Sequence, residues 1–138
     1  MSSRDFLDTN ILLCAYSPVD SRKQKIADEL VTRAVLGELV ISAQVLAEFA
    51  SVLLHKVSPT KTPDEVKRIV DVLGPISVVV PDGDMVRRAV EAHAAYGIHF
   101  YDGMIVAAAE RAGCEKIWSE DFNPGQEYFG VTVADPFS

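Results

Sequence analysis

The sequence predicts an α/β domain whose sheet is mostly parallel and covered by helices on both faces. Short runs of β-branched and apolar residues alternate with longer segments whose apolar residues recur at helical spacing. This alternation is typical of parallel strands joined by helices. The 138 residues, 49% of them hydrophobic, suit a single domain over residues 1–138 that buries roughly two-thirds of its unfolded surface.

The chain is expected to begin with a strand near residues 4–7 and a short helix near residues 11–16. The Ser-Pro dipeptide at 17–18 breaks that helix, because the residue before proline disfavours the helical conformation. A longer helix is predicted over residues 22–36. Gly37 marks its end, because glycine readily adopts the left-handed conformation that closes helices.

A buried strand is predicted at residues 39–41, and Ser42 is expected to cap a helix over residues 43–55. The segment 62–65, Thr-Pro-Asp-Glu, carries a capping box with proline at the first helical position, so a helix should run from there to about residue 73. The remaining predictions are a strand at 76–80, a helix from about 84 to Gly97, a helix over 102–112, and strands at 116–118 and 131–133 separated by a turn at 123–125.

Four acids occupy matching places in this order of elements. Asp8 and Asp121 each follow a predicted strand, Asp102 opens a helix, and Glu48 lies in the helix after the second strand. Ligands of parallel sheets bind beyond the carboxyl ends of the strands, so all four side chains can reach one crevice. Carboxylates brought together there would repel one another and lose hydration unless a divalent cation neutralised them. The pattern therefore predicts a Mg²⁺-type site.

Each acid also has a structural explanation. Asp8 could serve only as a helix cap, and Asp102 could be favoured by the helix dipole alone. Glu48 lies at the edge of an apolar stripe, where glutamates are common, and loop acids are usually solvated. Thr9 and Asn10 favour the metal site, because they place two hydrogen-bonding side chains beside Asp8 in an otherwise apolar stretch.

Two further expectations concern the neighbours of these acids. Alternation from the preceding strand should turn one of Glu120 and Asp121 into the crevice and the other to solvent, and Asp121 is the expected crevice residue. Phe100 and Tyr101 should draw their end of the helix inward and leave Asp102 partly buried.

The net charge of −7 argues against a polyanionic partner, although bound cations would reverse the local sign at an acidic site. Cys14 and Cys114 lack metal-ligand spacing and are expected to be buried, reduced thiols. Neither a signal sequence nor a membrane-length apolar run is visible, which indicates a cytoplasmic protein. The histidines have no nucleophile at a strained elbow, and the scattered glycines form no phosphate-binding loop.

The order of these motifs resembles the PIN-domain ribonucleases, particularly the VapC-type toxins of bacterial toxin–antitoxin pairs. The motifs are Asp8-Thr9-Asn10, the helical Glu48, Phe100-Tyr101-Asp102, Ser119-Glu120-Asp121-Phe122, the segment 107–114 and the closing Asp135-Pro136-Phe137. Many relatives have Asn in place of Asp135, so the local cap there is expected to differ.

The resemblance implies a three-layer α/β/α sandwich, dependence on Mg²⁺ or Mn²⁺, and cleavage of single-stranded RNA. It assigns Asp8, Glu48, Asp102 and Asp121 as metal-binding acids, Ser119 as the site hydroxyl and Asn10 as a polar partner of Asp8. It also implies a cognate antitoxin protein and a homodimer.

Metal-activated water is the mechanism expected from four acids without a neighbouring protein nucleophile, with a second ion about 4 Å from the first stabilising the leaving 3′-oxygen. The products should carry 5′-phosphate and 3′-hydroxyl ends. Two alternatives remain open at this point. A phosphotransfer receiver or small phosphatase also uses acids at strand ends, although Lys116 begins its strand instead of ending it. The second alternative is an RNA-binding domain that has no catalytic activity.

Overall fold

A computed structural model describes residues 4–138 and places six strands in one sheet. The strands are β1 (Asp5–Leu7), β2 (Leu39–Ser42), β3 (Ser77–Val79), β4 (Lys116–Trp118), β5 (Glu127–Tyr128) and β6 (Val131–Ala134). Their order across the sheet is β3-β2-β1-β4-β6-β5. Neighbouring strands are parallel except for β5 and β6, which pair antiparallel.

Helices connect the strands and flank the sheet, so the predicted α/β/α architecture is confirmed. They are α1 (Thr9–Ala15), α2 (Ser21–Val35), α3 (Ala43–His55), α4 (Pro63–Val72), α5 (Gly83–Tyr96) and α6 (Phe100–Arg111). Helix α1 packs against α2 and α3, and α5 packs against α6. The central strands β1 and β2 are buried, whereas the edge strand β3 leaves Val78 39% exposed.

Side-chain caps set several helix starts, two of them as predicted. The Ser42 hydroxyl accepts a hydrogen bond from the Val45 backbone amide at 3.2 Å. At the start of α4, Thr62 Oγ1 accepts from the Glu65 amide at 3.2 Å, and Glu65 Oε1 accepts from the Thr62 amide at 3.0 Å. These reciprocal bonds complete the predicted capping box.

Helices α1 and α6 each begin two residues earlier than predicted, because a polar side chain directly before each helix caps its first turn. Helix α1 begins at Thr9 and not near residue 11, since Asp8 caps it. Helix α6 begins at Phe100 and not at Asp102, since the His99 side chain caps it. Asp102 nevertheless lies in the first turn of α6, as expected.

Strand β5 was not predicted. It pairs with β6 through a two-residue turn in which Phe129 and Gly130 both have positive φ, at 51° and 85°. Such turns usually place Asn or Asp before the glycine, so Phe129 concealed the hairpin. The Phe129 ring packs at 5.1 Å from that of Tyr96, and the Arg88 guanidinium lies 3.5 Å from its centroid.

The remaining expectations on single residues have mixed outcomes. Both cysteines are free thiols, as expected, but only Cys114 is buried. Cys14, on α1, is half-buried. Asp135 accepts a hydrogen bond from the Phe137 amide at 2.8 Å through its side chain. Among residues 4–138, no helix has the length and apolar character needed to cross a membrane.

Candidate active site

A cleft of about 290 Å³ lies beyond the carboxyl ends of the central strands. It brings together the four predicted acids, which come from the β1–α1 junction, α3, α6 and the segment after β4. The lining residues are Asp8, Thr9, Asn10, Leu13, Gln44, Glu48, Tyr101, Asp102, Ile105 and Asp121. The predicted meeting of these acids in one crevice is therefore observed, although they are distant in the chain.

Asp8 is the most buried of these acids, with only 7% of its surface exposed. Its Oδ1 accepts a hydrogen bond from the Thr9 amide at 2.7 Å, and its Oδ2 accepts one from the Ser119 hydroxyl at 2.8 Å. Burial raises the pKa of Asp8 from 3.8 to about 6, and the negative charges of Glu48 and Asp102 add to the increase, although both hydrogen bonds oppose it. The carboxylate therefore lies in an environment that disfavours its charge.

The Ser119 hydroxyl joins the first acid to the last. Besides donating to Asp8, its oxygen accepts from the amides of Asp121 at 3.3 Å and Phe122 at 3.2 Å. Asn10 Nδ2 donates to this oxygen at 3.0 Å and to Asp8 Oδ2 at 3.3 Å. Ser119 itself is fully buried, so these bonds fix the segment that carries Asp121 relative to α1.

Glu48 projects from α3 and is exposed, and its carboxylate accepts two hydrogen bonds. Thr9 Oγ1 donates to Oε2 at 3.1 Å, and Gln44 Nε2 donates to Oε1 at 3.0 Å. Gln44 Nε2 also donates to the Tyr101 carbonyl at 3.2 Å, which links α3 to α6. Gln44 is not among the residues that the sequence predicts for the site, although its position four residues before Glu48 places both side chains on one helix face.

Asp102 is half-buried in the first turn of α6. Burial raises the pKa of its carboxyl group, Glu48 adds to the increase, and His99 opposes it. The expected burial of Asp102 is therefore confirmed. The expectation that Tyr101 turns inward is wrong, because that side chain is 58% exposed beside the cleft.

Asp121 lines the cleft, as favoured over Glu120, but Glu120 does not simply face solvent. Glu120 Oε2 forms an ion pair with Lys23 Nζ on α2, at 2.8 Å. Its backbone amide donates to Asn10 Oδ1 at 3.2 Å. Lys23 therefore anchors Glu120, the residue before Asp121. No sequence signal pairs Lys23 with Glu120, because they are distant in the chain.

The chemistry of the lining suits a hard divalent cation. Carboxylate oxygens are the ligands that Mg²⁺ prefers, and the ten residues that form the cleft wall include no Lys, Arg or His. Among residues 4–138, no three His, Cys, Asp or Glu side chains are already placed to hold one ion together. Repulsion between like charges favours such separation, so the acids would have to close around an ion.

The PIN domain family matches residues 6–125, which is most of the chain. The chain belongs to the PIN-domain family. The mostly parallel sheet flanked by helices is consistent with this assignment. Among curated proteins, a sequence search found no match.

Solved structures with the same fold include toxin–antitoxin proteins. A toxin–antitoxin complex from Klebsiella pneumoniae superposes with a TM-score of 0.72 at 19% identity, covering 96% of this chain and 97% of the other. VapBC from Salmonella typhimurium, bound to DNA, gives 0.70 at 15% identity, covering 98% and 99%. VapC20 from Mycobacterium tuberculosis, a toxin that cleaves the sarcin–ricin loop, gives 0.68 at 17% identity, covering 92% and 98%.

Proposed function

We propose that this PIN domain is a Mg²⁺-dependent endoribonuclease that cleaves single-stranded RNA and accepts Mn²⁺ as a substitute ion. The observation that carries the proposal is the meeting of Asp8, Glu48, Asp102 and Asp121 in one cleft whose lining has no cationic side chain. Their separation in the chain makes a merely local role, such as capping, insufficient to explain all four. A polyanionic substrate could enter such a cleft only if bound cations neutralised the carboxylates.

The four carboxylates would supply the oxygen ligands. When bound there, a divalent cation lowers the pKa of water and stabilises the charge that develops on the phosphate and the leaving oxygen. The other residues position the ligands: Ser119 and Asn10 orient Asp8 through Oδ2, and Thr9 holds one oxygen of Glu48. Second-sphere hydrogen bonds of this kind direct ligand oxygens toward an ion.

We further propose that the chain is the toxin of a VapBC-type pair. The fold is shared with a Klebsiella toxin–antitoxin complex and with VapBC, and in both the chain covers nearly the full length of the matched protein. The proposed partners are therefore a cognate antitoxin protein, a second copy of the chain and cellular RNA. The proposed location of this activity is the cytoplasm.

An RNA cleavage assay tests the proposal. Purified protein should cut single-stranded RNA in Mg²⁺, EDTA should abolish the cleavage, and Asp8→Asn should reduce it by about 100-fold or more because a buried ligand is lost. Glu29→Gln is a matched control, since Glu29 is exposed on α2 and lies outside the cleft.

The ends of the products distinguish mechanisms. Attack by water should leave 5′-phosphate and 3′-hydroxyl ends, whereas a 2′,3′-cyclic phosphate would contradict it. Binding of RNA without cleavage in any divalent metal would favour an inactive RNA-binding domain. A stable aspartyl-phosphate after incubation with a phosphoryl donor would favour the receiver or phosphatase alternative.

A further inference from the structure

Tyr101 presents a large aromatic side chain to solvent at the rim of the acidic cleft. It is 58% exposed and immediately precedes Asp102 in the first turn of α6. An isolated exposed aromatic side chain needs no functional explanation. Tyr101 differs because it also lines the cleft and belongs to an ordered group of rings.

The group comprises three consecutive residues. The His99 and Tyr101 rings stack with centroids 5.8 Å apart and an interplanar angle of 21°. Phe100 meets Tyr101 edge to face, at 5.2 Å and 74°. Although both neighbouring rings contact it, Tyr101 keeps 58% of its surface exposed, so part of its ring remains available to a ligand.

The backbone beneath the ring is held from two sides. The Tyr101 amide donates a 3.1 Å hydrogen bond to His99 Nδ1, which caps α6. The Tyr101 carbonyl accepts a 3.2 Å hydrogen bond from Gln44 Nε2 on α3. These two bonds hold the backbone that carries the ring. A side chain whose backbone is already ordered loses less conformational entropy when a planar ligand stacks on it.

Because the cleft is acidic, affinity for a nucleic acid must come from contacts that do not depend on basic residues. The chain carries a net charge of −7, and Lys, Arg and His are absent from the residues that line the cleft. Protein contacts to phosphates usually supply most nucleic-acid affinity. Stacking of unpaired bases on aromatic rings supplies affinity without positive charge.

We propose that Tyr101, whose ring lies beside that of His99, is a stacking platform for one base of single-stranded RNA next to the phosphate that is cleaved. This inference rests on the proposed ribonuclease function and assigns to that site a base-binding position. Since every base has an aromatic face, the platform should tolerate any base. It should also act equally on RNA and DNA single strands, because stacking does not involve the 2′-hydroxyl, and it should not engage duplexes.

The test measures KM and kcat for RNA cleavage in Mg²⁺, together with affinity for fluorescent single-stranded RNA in an Asp8→Asn background. Tyr101→Ala should raise KM and the dissociation constant about 5- to 150-fold, the range of one base–aromatic stack. Tyr101→Phe should match the parent protein because it keeps the ring. Val90→Ala, an exposed apolar position on α5 outside the cleft, is the surface control.

Abasic substrates locate the contact. In a series of oligonucleotides that each lack one base at a different position, the one that lacks the stacked base should bind the parent protein more weakly than the intact oligonucleotide does. Tyr101→Ala should bind that oligonucleotide and the intact one with equal affinity. Unchanged KM and affinity in Tyr101→Ala, or equal losses in Tyr101→Phe, would overturn the stacking platform while leaving the ribonuclease proposal intact. If the parent protein neither cleaves nor binds RNA, both proposals fail.

Discussion

The carboxylate of Asp8 caps helix α1 and also lines the acidic cleft. Capping explains the hydrogen bond from the Thr9 amide to Oδ1, but it does not require the bonds from Ser119 and Asn10 to Oδ2. It also does not require the approach of Glu48 and Asp102, whose charges raise the pKa of Asp8 further. The two explanations considered for this residue are therefore compatible.

The raised pKa of Asp8 predicts that stability falls as pH rises. The folded-state pKa is about 6, against 3.8 normally, so between about pH 4 and 6 the folded protein retains a proton that the unfolded chain has lost. Without divalent metal, stability should decrease across this window by about 3 kcal/mol from this group and level off above it.

Asp8→Asn isolates this contribution, because Asp102 also titrates with a raised pKa. In EDTA, the variant should lose part of the pH dependence and be more stable than the parent at pH 7 by about 1–3 kcal/mol, after allowance for altered hydrogen bonds. Urea unfolding at pH 4, 5 and 7 measures the difference. A difference that is the same at every pH would refute the raised pKa.

At the scale of elements, the Lys23–Glu120 ion pair connects α2 to the segment that carries Asp121. Lys23→Met should change stability little, because both side chains are partly solvated. It should lower the cleavage rate by about 10-fold, since small displacements of a reacting group are costly. Lys25→Met, an exposed position on the same helix, should have no effect. Equal rates for the two variants would remove Lys23 from a positioning role.

Helices α5 and α6 pack closely at Gly103, the residue after Asp102. A Cβ added there would lie 2.7 Å from the Ala89 carbonyl oxygen on α5. Gly103→Ala should therefore destabilise the protein by about 1–3 kcal/mol, measured by urea unfolding. Gly83→Ala is the matched control, because a Cβ there meets nothing within 4 Å, and it should change stability by about 0.5 kcal/mol or less. Similar losses in both would contradict the close approach.

The sequence predicted helix starts where local chemistry determines them, and it predicted the convergence of the four acids from the order of the strands and helices. The capping box at Thr62 and Glu65 and the cap at Ser42 can be read from a few neighbouring residues. Strand β5 depends on a turn with an unusual residue, and the pair Lys23–Glu120 spans 97 positions. Contacts of that kind arise only from the tertiary fold, so a single sequence carries no signal for them.

At the scale of the whole molecule, four of the chain's acids converge at one edge of the sheet while the net charge is −7. Burial raises the pKa of Asp8 and Asp102, and the negative charge of Glu48 adds to both increases, so the charged carboxylates are disfavoured where no cation is bound. Ion binding would relieve this repulsion and would thereby link metal concentration to folding. If cations bind these four acids as proposed, the negative net charge does not argue against RNA as a substrate.

The most direct test of the proposed metal site is the free energy of unfolding as a function of Mg²⁺ concentration. At an ion concentration 100 times the dissociation constant, the parent protein should gain about 2.7 kcal/mol. Asp8→Asn should lose most of this gain, and the exposed-acid control Glu29→Gln should keep it. An equal gain in Asp8→Asn, or no gain in the parent protein, would contradict the assignment of these acids as metal ligands.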